Sequence, residues 1–217
     1  MITISAFAWV PEFARGQVRD LRVRWALEEA GLPYHTRLLE QGDQDSVDYR
    51  ELQPFGQVPI FEEDGLVLFE SGAIVHHISG RSEALLPADP AARAHALQWM
   101  FAALNSVEPF ILQLALIDLF YKDEAWAKER RPGVVDFVSR RVEALSRTLG
   151  EQPFLDGDRF TAGDLIMSTV LNILHHTDII TSDPRLAAYI ARCQARPAYG
   201  RALAAQLGDF RDDPIAA

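Results

Sequence analysis

The chain has 217 residues, of which 48% are hydrophobic and 24% charged, an ordinary globular balance with enough length for one large domain or two modest ones. Its net charge of −10, from 31 acids against 21 Lys plus Arg, argues against nucleic acid as a partner. A single cysteine, Cys193, excludes an internal disulfide framework and fits a reducing compartment.

The opening, MITISAFAWVPEF, has neither the basic leader nor the small-residue cleavage site of a signal peptide. No apolar run reads as a membrane span, so the expected location is the cytoplasm, with no membrane partner.

Along the first 80 residues the hydrophobic period alternates. ITISAFAW is β-rich; in GQVRDLRVRWALEEAG, Val23, Ala26, Leu27 and Ala30 follow helical spacing, and Gly31 is a stop signal. YHTRLLE reads as a strand and VDYRELQPFG as a weak helix. VPIFEE and LVLFE are strands joined by Asp64-Gly65, a strong hairpin signal, and SGAIVHHISGR returns to helix. The order is βαβαββα.

Beyond residue 80 the strand signal vanishes. Residues 81–90, with Pro87 and Pro90, read as a stiff linker, and 91–207 as a helical domain whose first long helix should kink near Pro109. Further helices are expected at about 133–149, 162–176, 184–195 and 197–207, and 208–217 as a poorly ordered tail. The fold class is therefore α/β plus all-α, with residues 1–80 forming the α/β domain.

Three stretches, PFGQVPIFEEDG, FESGAIVHHI and FLDGDRFTAGDLIMSTVL, together resemble the glutathione transferase superfamily, bacterial and cytosolic in type. The likeness covers nearly the whole chain and implies a thioredoxin-like, glutathione-binding first domain. A cis bond at Val58-Pro59 turns the Val58 backbone outward, where an extended peptide adds like a short strand. The resemblance puts glutathione's cysteinyl unit there. It puts the γ-glutamyl carboxylate at Ser71, the γ-glutamyl ammonium at Glu70 and the glycyl end near Gln57. An edge-strand proline and a plain capping serine are the bland alternatives. In RFTAGDLI, Thr161 and Asp164 form a capping box with Phe160 and Leu165 as a hydrophobic staple, a structural device with Asp164 buried.

One departure stands out. The segment after the first strand, SAFAWVPEFARGQVRD, holds none of the family's Tyr or Cys helpers, and Ser5 falls too early. The usual serine position falls near Gly16 or Gln17, and the usual cysteine position near Arg19. Arg15 and Arg19 are then the candidates to stabilise a glutathione thiolate with the helix N-terminal amides; solvated surface arginines are the alternative. Arg24 has helical partners in Asp20 and Glu28, whereas Arg19 and Arg22 have none at that spacing.

His76-His77 and His175-His176 do not have ligand spacing, so no metal is expected. Trp9, Phe13, Phe101, Leu104, Asn105, Glu108 and Ile111 are candidates to line a second-substrate site, and equally ordinary core positions.

The leading expectation is an enzyme directing glutathione, as co-substrate, at a small hydrophobic electrophile in a detoxification role. The resemblance also implies a homodimer, with Phe55 as a contact. A glutathione-dependent disulfide reductase and a non-catalytic binding or scaffold protein are the alternatives.

Overall fold

A computed structural model describes residues 1–211. The expected order is present: β1 (Ile2–Phe7), α1 (Asp20–Ala30), β2 (Tyr34–Leu39), α2 (Val47–Leu52), β3 (Phe61–Glu63), β4 (Leu66–Leu68) and α3 (Ser71–Ser79). The strands form one sheet in the order β2-β1-β3-β4, with β1 and β2 parallel and the other pairings antiparallel. This is a thioredoxin-like layer, built from the helix- and strand-period segments of the first 80 residues.

Local chemistry sets its corners. Asp64 and Gly65 both take positive φ, 49° and 85°, as a two-residue turn closing Glu63 against Leu66 requires. At the end of α1, Gly31 is left-handed (φ 66°), and the Leu32 N–H reaches back to the Leu27 carbonyl at 3.0 Å. The helix itself begins at Asp20, so residues 16–19 stay outside it.

The helical part contains α4 (Pro90–Phe101), α5 (Glu108–Leu119), α6 (Ala125–Leu149), α7 (Ala162–Asn172) and α8 (Pro184–Gln194). Pro109 perturbs the helix ahead of it: residues Ala102–Val107 widen into a π-helical stretch between α4 and α5. Asp89 and Asp183, each followed by proline, cap α4 and α8 by accepting N–H bonds from Ala92 (2.9 Å) and from Arg185 and Leu186 (3.0 and 3.2 Å). The Thr161 hydroxyl accepts from the Gly163 N–H at 3.2 Å, and Asp164 accepts from the Thr161 N–H at 2.9 Å, completing the box. Phe160 rests edge-on against Phe154.

Several expectations are corrected. Helix α6 starts at Ala125 and runs through Pro132, which sits in its exposed early turns where the lost bond to the Lys128 carbonyl is open to water. The helix from Ala162 ends at Asn172, and Ile173–His176 tighten into a 3₁₀ turn. Separately, Pro90–Leu119 is long and apolar enough to cross a membrane by length and composition alone, a test that the core helix of a globular protein also passes, and 44% of its most apolar stretch is buried.

A further correction concerns α9 (Pro197–Asp209). The chain divides into two compact units, one of Pro87–Ala195 and one of Met1–Leu86 together with the chain from Arg196 on. Helix α9 therefore belongs with the α/β layer and packs on α1. The reason is a polar lock: Arg24 Nε donates to Asp20 at 2.8 Å and Nη2 to Asp209 at 2.6 Å, while Gln206 donates to Asp20 at 2.7 Å. Arg196 grips Glu29 with two bonds and Arg201 holds Glu28, so Glu28 is not the Arg24 partner. Trp25, fully buried, meets Tyr199 edge-on at 4.9 Å.

The tail expected from 208 is ordered through 211: the Arg211 N–H donates to the Ala8 carbonyl at 2.8 Å. Residues 212–217 of that expected tail lie outside the described residues.

Candidate functional site

Strand register gathers the candidate residues at one end of the sheet. Phe61 pairs with Leu68, so the residues just before β3 lie beside those just after β4. Phe61 also pairs with Ile4 across an antiparallel ladder, which brings the C-terminal end of β1 to the same end. Three loops converge there: the segment from β1 to α1, the Val58-Pro59 loop, and Glu70-Ser71.

Val58-Pro59 is a cis peptide bond. Among the described residues the Val58 N–H and C=O make no hydrogen bond, leaving one donor and one acceptor for an added strand. A hidden relay braces this loop. The Tyr49 hydroxyl donates to the Gln57 carbonyl at 2.7 Å, Ser5 Oγ lies 2.9 Å from the same hydroxyl, and Ser5 Oγ accepts the Ile60 N–H at 2.9 Å. Ser5 is fully buried, so it braces the loop and does not face solvent. Gln57 itself is exposed.

Ser71 is the first residue of α3 and buried, with Arg22 Nη1 at 3.4 Å from its hydroxyl. Glu70, exposed, precedes it with φ 68° and ψ 112°, a conformation costly for a residue with a Cβ. Among the described residues no side chain caps α3, so its first N–H groups are available to an anion.

Arg19 stands at the N-cap of α1. Arg15 lies ahead of the helix in extended backbone and donates to the Arg211 carbonyl at 3.2 Å, with its guanidinium near the Phe210 ring. The register therefore assembles Val58, Pro59, Glu70 and Ser71, with Gln57 beside them, and Arg15 is drawn toward the C-terminal segment.

Sequence reasoning missed Tyr49, which lay in a helix judged only weak, and Arg22, whose partner Ser71 is 49 residues away. Of the second-substrate candidates, Glu108 and Ile111 are buried, whereas Phe101 and Asn105 are exposed. Burial pushes the Cys193 thiol up to about 12. Among the described residues no group of three or more His, Cys, Asp or Glu side chains is assembled.

A cis-prolyl loop with free main-chain groups, at the same sheet end as a helix start without a side-chain cap among the described residues, defines a thioredoxin-like layer, and a helical unit follows it in the chain. Residues 13–80 match "Glutathione S-transferase, N-terminal domain" and residues 138–192 match "Glutathione S-transferase, C-terminal domain". The chain is 30% identical over 179 residues to a glutathione S-transferase of Hyoscyamus muticus, covering 76% of this chain and 82% of that one. It is 28% identical over 204 residues to the disulfide-bond oxidoreductase YfcG of Escherichia coli, covering 86% and 91%. A glutathione transferase family member from Pseudomonas fluorescens, solved with two glutathione bound, superposes with a TM-score of 0.82 at 25% identity over 93% of this chain and 92% of that one. The chain belongs to the glutathione S-transferase family.

Proposed function

We propose that this protein is a glutathione-dependent transferase that binds glutathione at the three-loop end of the sheet and directs its thiolate at a small hydrophobic electrophile. The observation that carries the reading is the cis Val58-Pro59 loop, with its unpaired main-chain groups, at the same sheet end as Glu70-Ser71. Val58 pairs with the cysteinyl main chain, Ser71 and the first α3 N–H groups hold the γ-glutamyl carboxylate, Glu70 meets the ammonium, and Gln57 the glycyl end.

No tyrosine or cysteine follows β1, so the thiolate is stabilised by charge. Arg19, at the start of α1, supplies it; Arg15 is held on the Arg211 carbonyl, and the Leu21 and Arg22 N–H groups are taken by the Val18 and Arg19 carbonyls. Lowering a thiol pKa by two units needs only about 2.7 kcal/mol of preferential thiolate stabilisation. We place the protein in the cytoplasm as a homodimer acting in detoxification; the exposed Phe55 is the proposed contact.

Disulfide reduction with glutathione is the second reading. It rests on the 28% identity to a disulfide-bond oxidoreductase and needs no protein thiol, consistent with the buried Cys193.

An ultraviolet thiolate titration of bound glutathione tests the main reading, with Arg19→Ala beside it. A saturable thiolate signal below the free-thiol range, about 8.5, that weakens in the variant supports it. No bound thiolate near neutral pH removes the mechanism, and activity on small disulfides but not aryl halides selects the second reading.

A further inference from the structure

The sequence contains two lysines, Lys122 and Lys128, both exposed, and both line the rim of one open pocket of about 390 Å³ in the helical unit. The other walls are Ile117, Asp118, Leu119, Arg131 and His176. Three cations thus meet one carboxylate in a chain whose net charge is −10. That carboxylate is already committed: Arg131 grips Asp118 through Nε at 2.6 Å and Nη2 at 2.9 Å. Among the described residues neither lysine has an ion pair. The acids nearest in sequence, Asp123, Glu124 and Glu129, do not line the cavity.

Helix stability alone does not account for this placement. Lys122 follows the C-terminal end of α5, where a cation is favourable, but Lys128 is the fourth residue of α6, at the positive end of its dipole; Arg131, a turn further on, is held by Asp118. Lys128 and Arg131 are three apart and share a face of α6. His176 adds a further group: its Nδ1 lies 3.0 Å from the Ile173 carbonyl, and its Nε2 is buried, 3.4 Å from Asp118 and without a hydrogen-bond partner among the described residues.

We infer that this cavity is a second ligand site, separate from the glutathione site, for a multiply charged oxyanion: a phosphoryl or sulfuryl group, free or carried on a small molecule. Two ammonium groups from different segments and the outer edge of the Arg131 guanidinium converge on the anion. Such an ion offsets both the unpaired lysines and the α6 dipole.

The test is calorimetric titration of the full chain with inorganic phosphate, and separately with phenyl phosphate, in the presence of saturating S-methylglutathione. The result expected is saturable binding that Lys122→Gln/Lys128→Gln weakens by about tenfold or more, while thermal melting of that variant is unchanged. Tighter binding of phenyl phosphate than of phosphate identifies a carried group, and equal binding identifies the free ion. No saturable binding of either probe, or binding that the lysine variant leaves intact, overturns the proposal. Because S-methylglutathione occupies the other site, and its own binding is measured in the same experiment, failure here is distinguishable from failure of the glutathione reading.

Discussion

The Tyr49 hydroxyl donates to the main-chain carbonyl of Gln57 at 2.7 Å, one residue ahead of the cis Val58-Pro59 bond. A side chain on α2 thereby fixes the loop that offers main-chain groups to a peptide ligand. Tyr49→Phe leaves that carbonyl and Ser5 without their partner. It should cost about 1–3 kcal/mol of stability and weaken glutathione binding, read by urea melts and by calorimetry.

Glu70 separates binding from strain. Its φ of 68° is easy for glycine and costly for other residues. Glu70→Gly should therefore gain about 1 kcal/mol of stability while losing glutathione affinity, whereas Glu70→Ala should lose affinity without that gain. Thermal melts set beside binding isotherms distinguish the two; equal affinity in all three proteins would remove Glu70 from the site.

Asp164 is a structural anchor. Fully buried, it accepts bonds from the Leu155 and Thr161 N–H groups, both at 2.9 Å, and from the Tyr189 hydroxyl at 3.1 Å. Asp164→Ala orphans these donors and should destabilise the protein by about 3 kcal/mol or more, measured by denaturant unfolding. Glutathione affinity of the fraction that stays folded should be unaltered.

Cys193 should be inert in the native protein. Burial raises its thiol to about 12, so little thiolate exists near neutral pH. Ellman's reagent should react with it only after denaturant is added; rapid reaction in buffer would contradict its placement.

The Arg81–Glu63 pair should leave a signature in acid. Arg81 Nη1 donates to Glu63 Oε1 at 2.9 Å, and the bonding to Arg81 draws the Glu63 carboxyl below its ordinary range. A carboxylate with a depressed folded-state pKa adds stability above its unfolded value and loses it as the pH falls through the folded value. The stability difference between wild type and Arg81→Ala should be level above about pH 5 and close below the ordinary glutamate value of about 4.3. Urea melts across that range check it.

What the sequence disclosed was mostly local. Asp64-Gly65 could close only a tight turn, Pro109 marked the disturbance between α4 and α5, and Thr161 with Asp164 is a box written in four residues. Glu70-Ser71 and Val58-Pro59 were legible as motifs, and strand register supplied their proximity. The brace from Ser5 through Tyr49 and the lock joining Arg24 to Asp209 were not legible. Their partners lie 44 and 185 residues apart, and no periodicity connects them. Helix α9 looked like one more amphipathic helix because its apolar spacing does not say which helix it covers.

That last helix has a consequence for synthesis. The α/β unit is discontinuous, and the whole of Pro87–Ala195 leaves the ribosome before α9 does. Until then Asp20 lacks Gln206 and Arg24 lacks Asp209, and the Trp25 ring has no Tyr199 against it. The helical unit is thus able to consolidate first, while the unit that begins the chain is the last to be completed.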